Sequence, residues 1–184
     1  MDRFYPDIES LDAFTRSLGS LGEKIQCKHC QRHGQMVSHG FIVTQVEKEP
    51  VGKRLLCSNR YGRSGCGKTQ QLYVAHRFPF LRYGAAQLLI FLTSLLIGRH
   101  LEDAYEAATG QVDPRNAWRW LNRLSLNLTD FRCLLEARRR PMDAAVQLKN
   151  RRLSLLLSAL KPLLSLLPHN PCRHYQLLQQ RAFI

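Results

Sequence analysis

The sequence predicts an α+β protein, mostly α, with a small N-terminal β module ahead of a helical bundle. Three observations lead there. Four cysteines pair up between residues 27 and 66, around a β-branched stretch; apolar residues at helical spacing dominate the chain after residue 77; and Gly, Asp and Pro stand between the apolar runs where helix ends belong. With 184 residues, 45% of them apolar, there is material for one medium domain or two small ones with a real core. The pieces divide as an arm over residues 1–26, a cysteine module over 27–77, a helical segment over 78–125 and a leucine-rich basic tail over 126–184.

In the arm, Asp7 to Leu18 places Ile8, Leu11, Phe14 and Leu18 on one face of a helix, and Gly19 and Gly22 end it. That face can dock on the cysteine module or on a second subunit; an arm that simply packs is the plainer account.

The module 27–77 opens with Cys27-Lys-His-Cys30, a C-x2-C turn. After 26 intervening residues come Cys57 and Cys66 as C-x8-C. A C-x2-C turn aims two thiolates at one centre, and a pair on a neighbouring hairpin completes a tetrahedron, the closed arrangement of a structural zinc ion. A module this short has little core of its own, so the metal supplies much of its folding energy. The expectation is a zinc ribbon with one structural Zn2+ on Cys27, Cys30, Cys57 and Cys66. Phe41 to Val46 is β-branched and strand-like, Glu47 to Gly52 a turn, Lys53 to Leu56 the approach to the second pair, and Gln71 to Val74 a closing strand. His29, His33 and His39 are alternative ligands, with His39 in Ser-His-Gly reading as a turn residue.

A second signal overlaps the first. Gly62 to Thr69 fits G-x4-G-K-[ST], in which backbone N–H groups cradle phosphates, Lys68 pairs with them and Thr69 holds magnesium. That reading needs a buried strand before the loop and a long helix after it. Cys57 to Tyr61 is polar and turn-like instead, Gln70 to His76 suits a strand as well as a helix, and no later apolar strand ends in Asp. A small nucleotide-binding enzyme built on Gly62–Thr69 therefore stands as an alternative to the metal site.

The helical segment begins with Ala85 to Ile97, apolar almost all round and so central to a core, capped by Gly98. Arg99 to Ala108 is a short helix, Thr109 to Val112 a tight turn, and Asp113 to Leu124 a new helix with Asp113 as N-cap and Pro114 at its first position. Ala104, Ala108, Val112, Ala117, Leu121 and Leu124 form the inner set. Helix, short Gly-containing turn, helix is the helix-turn-helix pattern. The second helix turns Arg115, Asn116, Arg119, Asn122 and Arg123 outward, side chains that pair with guanine and adenine edges and also reach phosphates. An ordinary solvated face is the plainer account. Of Trp118 and Trp120, one is expected in the core and one as a wedge against the sugar-phosphate edge, or both in the core.

In the tail, Leu126 to Arg140 is a helix stopped by Pro141, Met142 to Leu160 another ending before Pro162, Pro168 to Pro171 a turn and Tyr175 to Phe183 a last short helix. Arg138-Arg-Arg140 and Lys149-Asn-Arg-Arg152 are phosphate clamps or solvated helix ends. The apolar faces suit self-association or a protein partner, which keeps open a third function class, a metal-stabilised interaction adaptor. The apolar runs at Ala85–Ile97 and Leu153–Leu167 fall short of the ~20 residues of a membrane span.

Net charge is +13, with pI near 10.0. It is concentrated: residues 27–83 carry net +8 and residues 144–184 net +6, with no acid at all in the latter. A basic excess on a cysteine module and a tail points to a polyanion partner. Lys53, Arg54, Arg60, Arg63 and Lys68 are the module's candidates for gripping phosphate. The opening Met1-Asp-Arg-Phe-Tyr-Pro has no apolar signal core, so a cytoplasmic, nucleoid-associated chain is expected, in which paired cysteines are metal ligands rather than disulfides. Cys133 and Cys172 stand alone and read as inert thiols.

Cys27, Cys30, Cys57, Cys66, Lys68, Thr69, Gln71 and Leu72, with an apolar helix and Leu101 to Leu124 after them, resemble the zinc-ribbon proteins of bacterial insertion sequences over roughly residues 25–125. In that family a small first reading frame binds the element's terminal inverted repeats, represses transcription, or becomes the DNA-binding part of the transposase. The resemblance implies double-stranded DNA as the partner, with a second copy or a transposase or recombinase held through the C-terminal helices. It also accounts for the phosphate-loop look-alike, because Lys-Thr-x-Gln-Leu is similar to the family's exit from its last zinc ligand. The sequence departs from the family in its C-x8-C, where the family has C-x2-C, and in the stretch after Leu124. After Asp113 the only acids are Asp130, Glu136 and Asp143, with no spread Asp/Asp/Glu triad, so a non-catalytic DNA-binding protein is expected.

Overall fold

The structure, a computed structural model, describes residues 3–19, 25–44, 48–79, 83–141, 151–167 and 169–184. Gly22, residues 45–47 of the expected strand and turn, the start of the expected helix Met142–Leu160, Asp143, Lys149 and Pro168 lie outside them. Among the described residues the fold is α+β, with seven α-helices, one 3-10 turn and a four-stranded sheet. No described helix is long and apolar enough to cross a membrane. The chain forms two compact units, Met1–Arg82 with Gln176–Arg181, and Tyr83–Tyr175 with Ala182–Ile184.

In the first unit, strands β1 (Phe4–Tyr5), β2 (Met36–Val43), β3 (Pro50–Cys57) and β4 (Thr69–Val74) lie in the order β1-β4-β3-β2. The β2–β3 and β3–β4 pairs are antiparallel, and β1 joins β4 in parallel. Strand β2 starts five residues earlier than expected, because pairing Met36 with Cys57 buries Met36 beside the second cysteine pair. His39 is a strand residue and not a turn. The register shifts between Ser38 and Phe41, so His39 and Gly40 form a bulge inside the strand, and His39 is exposed.

Helix α1 (Ile8–Arg16) is capped by Asp7, whose carboxylate accepts from Ser10 N at 2.8 Å. Its inner residue Leu11 and the nearby Leu18 share one core with Tyr5, Ile25, Met36, Leu55, Leu72, Cys27 and Cys57, with Ile8 and Phe14 packed against it. The arm and the cysteine module are thus one folding unit. The exposed edge of β1 is closed by a side chain from late in the sequence, Gln180, whose Oε1 accepts from Arg3 N and Phe4 N; Gln176 Nε2 donates to Ala75 O, just past β4, at 2.7 Å.

The second unit contains α2 (Ala85–Leu96), α3 (Leu101–Thr109), α4 (Arg115–Leu126), α5 (Leu128–Ala137), α6 (Arg151–Leu166) and the first residues of α7 (Pro171–Gln179). Helix α2 is buried along Ala85, Leu88, Phe91, Leu92 and Leu95 but exposes Ile90, so it is one-sided rather than buried all round. Trp120 sits in the core, edge-on to Tyr83, Phe91 and Tyr105 at centroid distances of 5.6, 5.4 and 5.4 Å. Phe131, Tyr175 and Phe183 form a second aromatic group.

Three expectations here are corrected. Pro162 lies inside α6 and does not stop it, because the buried face Leu156, Leu157, Leu160 and Leu163 continues across it and holds both halves. Helix α7 begins at Pro171, not Tyr175: Asn170 Oδ1 caps Arg173 N at 3.0 Å and Pro171 takes the first turn, where its missing N–H costs nothing. The expected helix Leu126–Arg140 breaks at Asn127, whose side-chain amide donates to Ala182 O and Phe183 O.

Candidate functional site

The four paired cysteines reach the same point by three routes. The 27–30 turn is closed by Gln31 N donating to Cys27 O at 2.8 Å and Cys27 N donating to Arg32 O at 2.9 Å. Cys57 ends β3. Cys66 returns from a loop that folds back onto that strand end: Gly65 N donates to Ser58 O, Gly67 N to Cys57 O, and Cys57 N to Lys68 O. The return needs glycine at 65, where a Cβ would lie 2.3 Å from Ser58 O and 2.6 Å from Cys57 C. This fold-back is how a C-x8-C spacing delivers both sulfurs.

The sulfurs of Cys27 and Cys66 stand 3.8 Å apart, those of Cys30 and Cys57 3.7 Å, and all four lie within 4.8 Å of one another. A disulfide needs ~2.05 Å between sulfurs. Four thiolates at ~2.3 Å from one ion, arranged tetrahedrally, stand ~3.8 Å from each other. The four residues can therefore hold a metal ion. None of His29, His33 and His39 joins the cluster, and all three are exposed.

Donors surround the sulfurs. His29 N points at Cys27 Sγ (3.4 Å), Cys66 N at Cys57 Sγ (3.3 Å) and the buried Gln70 Nε2 at Cys27 Sγ (3.7 Å). Burial opposes ionisation of Cys27, yet the N–H groups of Cys30 and His29 and the neighbouring thiols outweigh it and bring the thiol down to about 6. Burial pushes the Cys57 thiol up to about 12, and the Cys66 N–H only partly offsets it. Binding a metal ion must expel the protons that the thiols still carry. Cys133 and Cys172 stand outside the cluster, Cys133 exposed and Cys172 buried with its thiol raised by burial.

The same geometry rules against the phosphate-loop reading of Gly62–Thr69. The loop joins two antiparallel strands and runs into β4 instead of a helix. Its amides at Gly65 and Gly67 are already bonded to Ser58 O and Cys57 O, so they do not form a cradle.

Arg54, Arg60, Arg63 and Lys68 are exposed as expected, with the Arg63 guanidinium also donating to Gly34 O. Lys53 is not. It is 5% exposed, its ammonium pairs with Asp12, donates to Thr15 Oγ1 at 2.8 Å and lies 4.6 Å over the Phe41 ring. It fastens α1 to the sheet and is buried out of reach of a phosphate.

In the second unit, α3 ends at Gly110, left-handed with φ 68°, and a five-residue connection leads to α4. Helix α4 starts at Arg115, one residue later than expected, but Asp113 accepts from Arg115 N at 3.0 Å, the bond an N-cap at 113 makes to its second helical residue, and also pairs with the Arg115 guanidinium. That pair holds the Asp113 carboxyl below the usual range and raises Arg115. Ala117, Trp120, Leu121 and Leu124 are buried, whereas Arg115, Asn116, Arg119, Asn122 and Arg123 are all exposed. Val112, expected in the inner set, is 75% exposed because the connection carries it away from the helices. Trp118 is the exposed tryptophan, bordering a groove with Leu121, Asn122, Ser125, Arg152 and Leu156.

Gln70, Gly65 and Arg32 were not legible as parts of the site. Gly65 directly before Cys66 was the one available hint, a position where the backbone must pass close to its neighbours. Fold and site together define an α+β protein with a four-cysteine, metal-capable cluster. No family model, no curated protein and no solved structure matches the chain.

Proposed function

We propose that this chain is a sequence-specific, double-stranded-DNA-binding protein that carries one structural Zn2+ in a ribbon module and reads bases through a helix-turn-helix, with no catalytic centre of its own. The observation that carries the reading is α4. Five Arg and Asn side chains on one helix are exposed over a backing of Ala117, Trp120, Leu121 and Leu124, and α3 ends in a left-handed glycine before a short connection. Arg115, Asn116 and Arg119 lie in the first turns, where recognition helices meet base edges. Asp113 holds the Arg115 guanidinium beside the start of the helix. Arg54, Arg60, Arg63 and Lys68 grip phosphates without reading sequence.

Zinc suits the cluster because four thiolates at tetrahedral spacing leave no open position, the arrangement of a structural site and not a catalytic one. Its chemistry there is to bind the sulfurs and stabilise the fold. The resemblance to insertion-sequence proteins supports a role at the ends of a mobile element, as terminal-repeat binder or repressor, with a second copy or a recombinase as protein partner.

The test is to select a binding site from random duplexes with the metal-loaded chain, then measure anisotropy. Arg115→Ala and Arg119→Ala are expected to cost about 1–3 kcal/mol on that site and to relax base preference. Arg54→Ala is expected to weaken all sequences alike and reduce the salt slope by about one. If the α4 variants bind every duplex as the parent does, α4 is an ordinary solvated helix and the proposal falls.

A further inference from the structure

The loop between β3 and β4 holds a feature that the metal cluster does not require. Arg60 to Arg63 make a tight turn, closed by Arg63 N donating to Arg60 O at 3.1 Å, with φ of 53° at Tyr61 and 78° at Gly62. Paired positive φ values in such a turn belong to Gly, Asn and Asp; a tyrosine in the first of them is strained. The Tyr61 side chain is 99% exposed, so burial of the ring repays none of that strain. The turn is also braced. Ser64 N donates to Gln35 Oε1 at 2.9 Å, Arg32 donates to Ser64 O, Arg63 donates to Gly34 O, and two residues later Cys66 enters the cluster.

We infer that Tyr61 is a stacking contact for an exposed base face in DNA; this rests on the DNA-binding reading and names what the ribbon module contributes beyond phosphate contacts. A flat ring presented from a braced turn beside cations is the combination that takes an unstacked base: the charges track the backbone and the ring covers the base. Arg60, Arg63 and Lys68 are exposed on the same loop, and no acidic residue occurs anywhere from position 50 to 101. An apolar protein partner would need apolar neighbours for the ring, and the loop from Ser58 to Lys68 has none apart from the ligand Cys66. Inside an intact duplex each base face is covered by the next pair, so the ring finds its partner at an unpaired base.

The experiment uses the full, metal-loaded chain and two duplexes that differ only in one unpaired 2-aminopurine, comparing parent, Tyr61→Ala and Tyr61→Phe at equal metal content. The parent is expected to bind the duplex with the unpaired base roughly tenfold more tightly and to quench its fluorescence. Tyr61→Phe is expected to keep both effects. Tyr61→Ala is expected to lose both while binding the intact duplex as the parent does. Equal binding of the two duplexes by the parent, or retention of the preference by Tyr61→Ala, overturns the inference and leaves the α4 reading standing. If neither duplex is bound at all, both fall. Tighter binding of the corresponding RNA, with the same dependence on Tyr61, overturns the assignment to DNA.

Discussion

Replacing Gly65 by alanine tests how the C-x8-C pair reaches one centre. The added Cβ would lie 2.3 Å from Ser58 O, whereas ordinary contact begins at 3.4 Å, so the two strands of the fold-back must part by about 1.1 Å. The obstruction is backbone on both sides, and Gly65 N donates to that same Ser58 O at 2.7 Å, so no side chain can swing away to make room. Cys66 is the next residue and moves with it. Metal–ligand distances tolerate roughly 0.2 Å, several times less than the displacement. Merely disturbing the surroundings of a ligand typically costs about 10–100-fold in metal affinity. Gly65→Ala is therefore expected to lose at least about 100-fold, which is ~2.7 kcal/mol. The assay is elemental analysis of purified protein, then competition against a chromogenic chelator, with Cys133→Ala as the control outside the cluster. The parent is expected to hold close to one zinc per chain. A Gly65→Ala protein with parental metal content and affinity would refute the fold-back account, and iron in place of zinc would refute the metal assignment.

Two further outcomes concern one unit each. Asp12 is held below its ordinary value of 3.8, first by its hydrogen bond from Lys53 and then by the charges of Lys53 and Arg16. A depressed folded pKa stabilises above the ordinary value and is lost as pH falls through the folded one. The parent is therefore expected to lose melting temperature as pH falls below about 4, and Asp12→Asn, already weakened at neutral pH, to show a flatter acid limb; parallel limbs would count against the pair. In the second unit, Trp120→Ala is expected to cost about 3–5 kcal/mol in denaturant unfolding, because it empties the aromatic group around Phe91 and Tyr105, whereas the half-exposed Trp118→Ala stays within about 1 kcal/mol.

The α+β class, the four cysteines and the Arg/Asn face of α4 were legible because each depends on short-range pattern: thiol spacing, helical period and cap residues. Lys53 was not. A lysine between Gly52 and Arg54 reads as surface, and only the packing of α1 over the sheet reveals that Asp12 and Thr15 stand above it. Strand β1 is two residues long, too short for any periodicity, and exists because β4 offers an edge that β1 covers, the outer side of β1 being closed in turn by Gln180. His39 misled because a Ser-His-Gly that breaks a strand register looks, in sequence, like one that ends a strand. Pro162 misled in the opposite direction, since a helix buried on both sides of a proline can outlast its missing hydrogen bond. The Asn170-Pro171 start of α7 was readable by the same cap rules applied at Asp113 and Pro114, but the tail's leucines drew the boundary later.

That α4 reads sequence is tested most directly by the affinity of the metal-loaded chain for its selected duplex against a scrambled duplex of equal length, titrated across salt. A reading helix predicts that the selected site is bound at least about 10³-fold more tightly at physiological salt, with both affinities falling as salt rises. A ratio near one at every salt concentration would make this a basic protein that holds DNA by charge alone, and would contradict it.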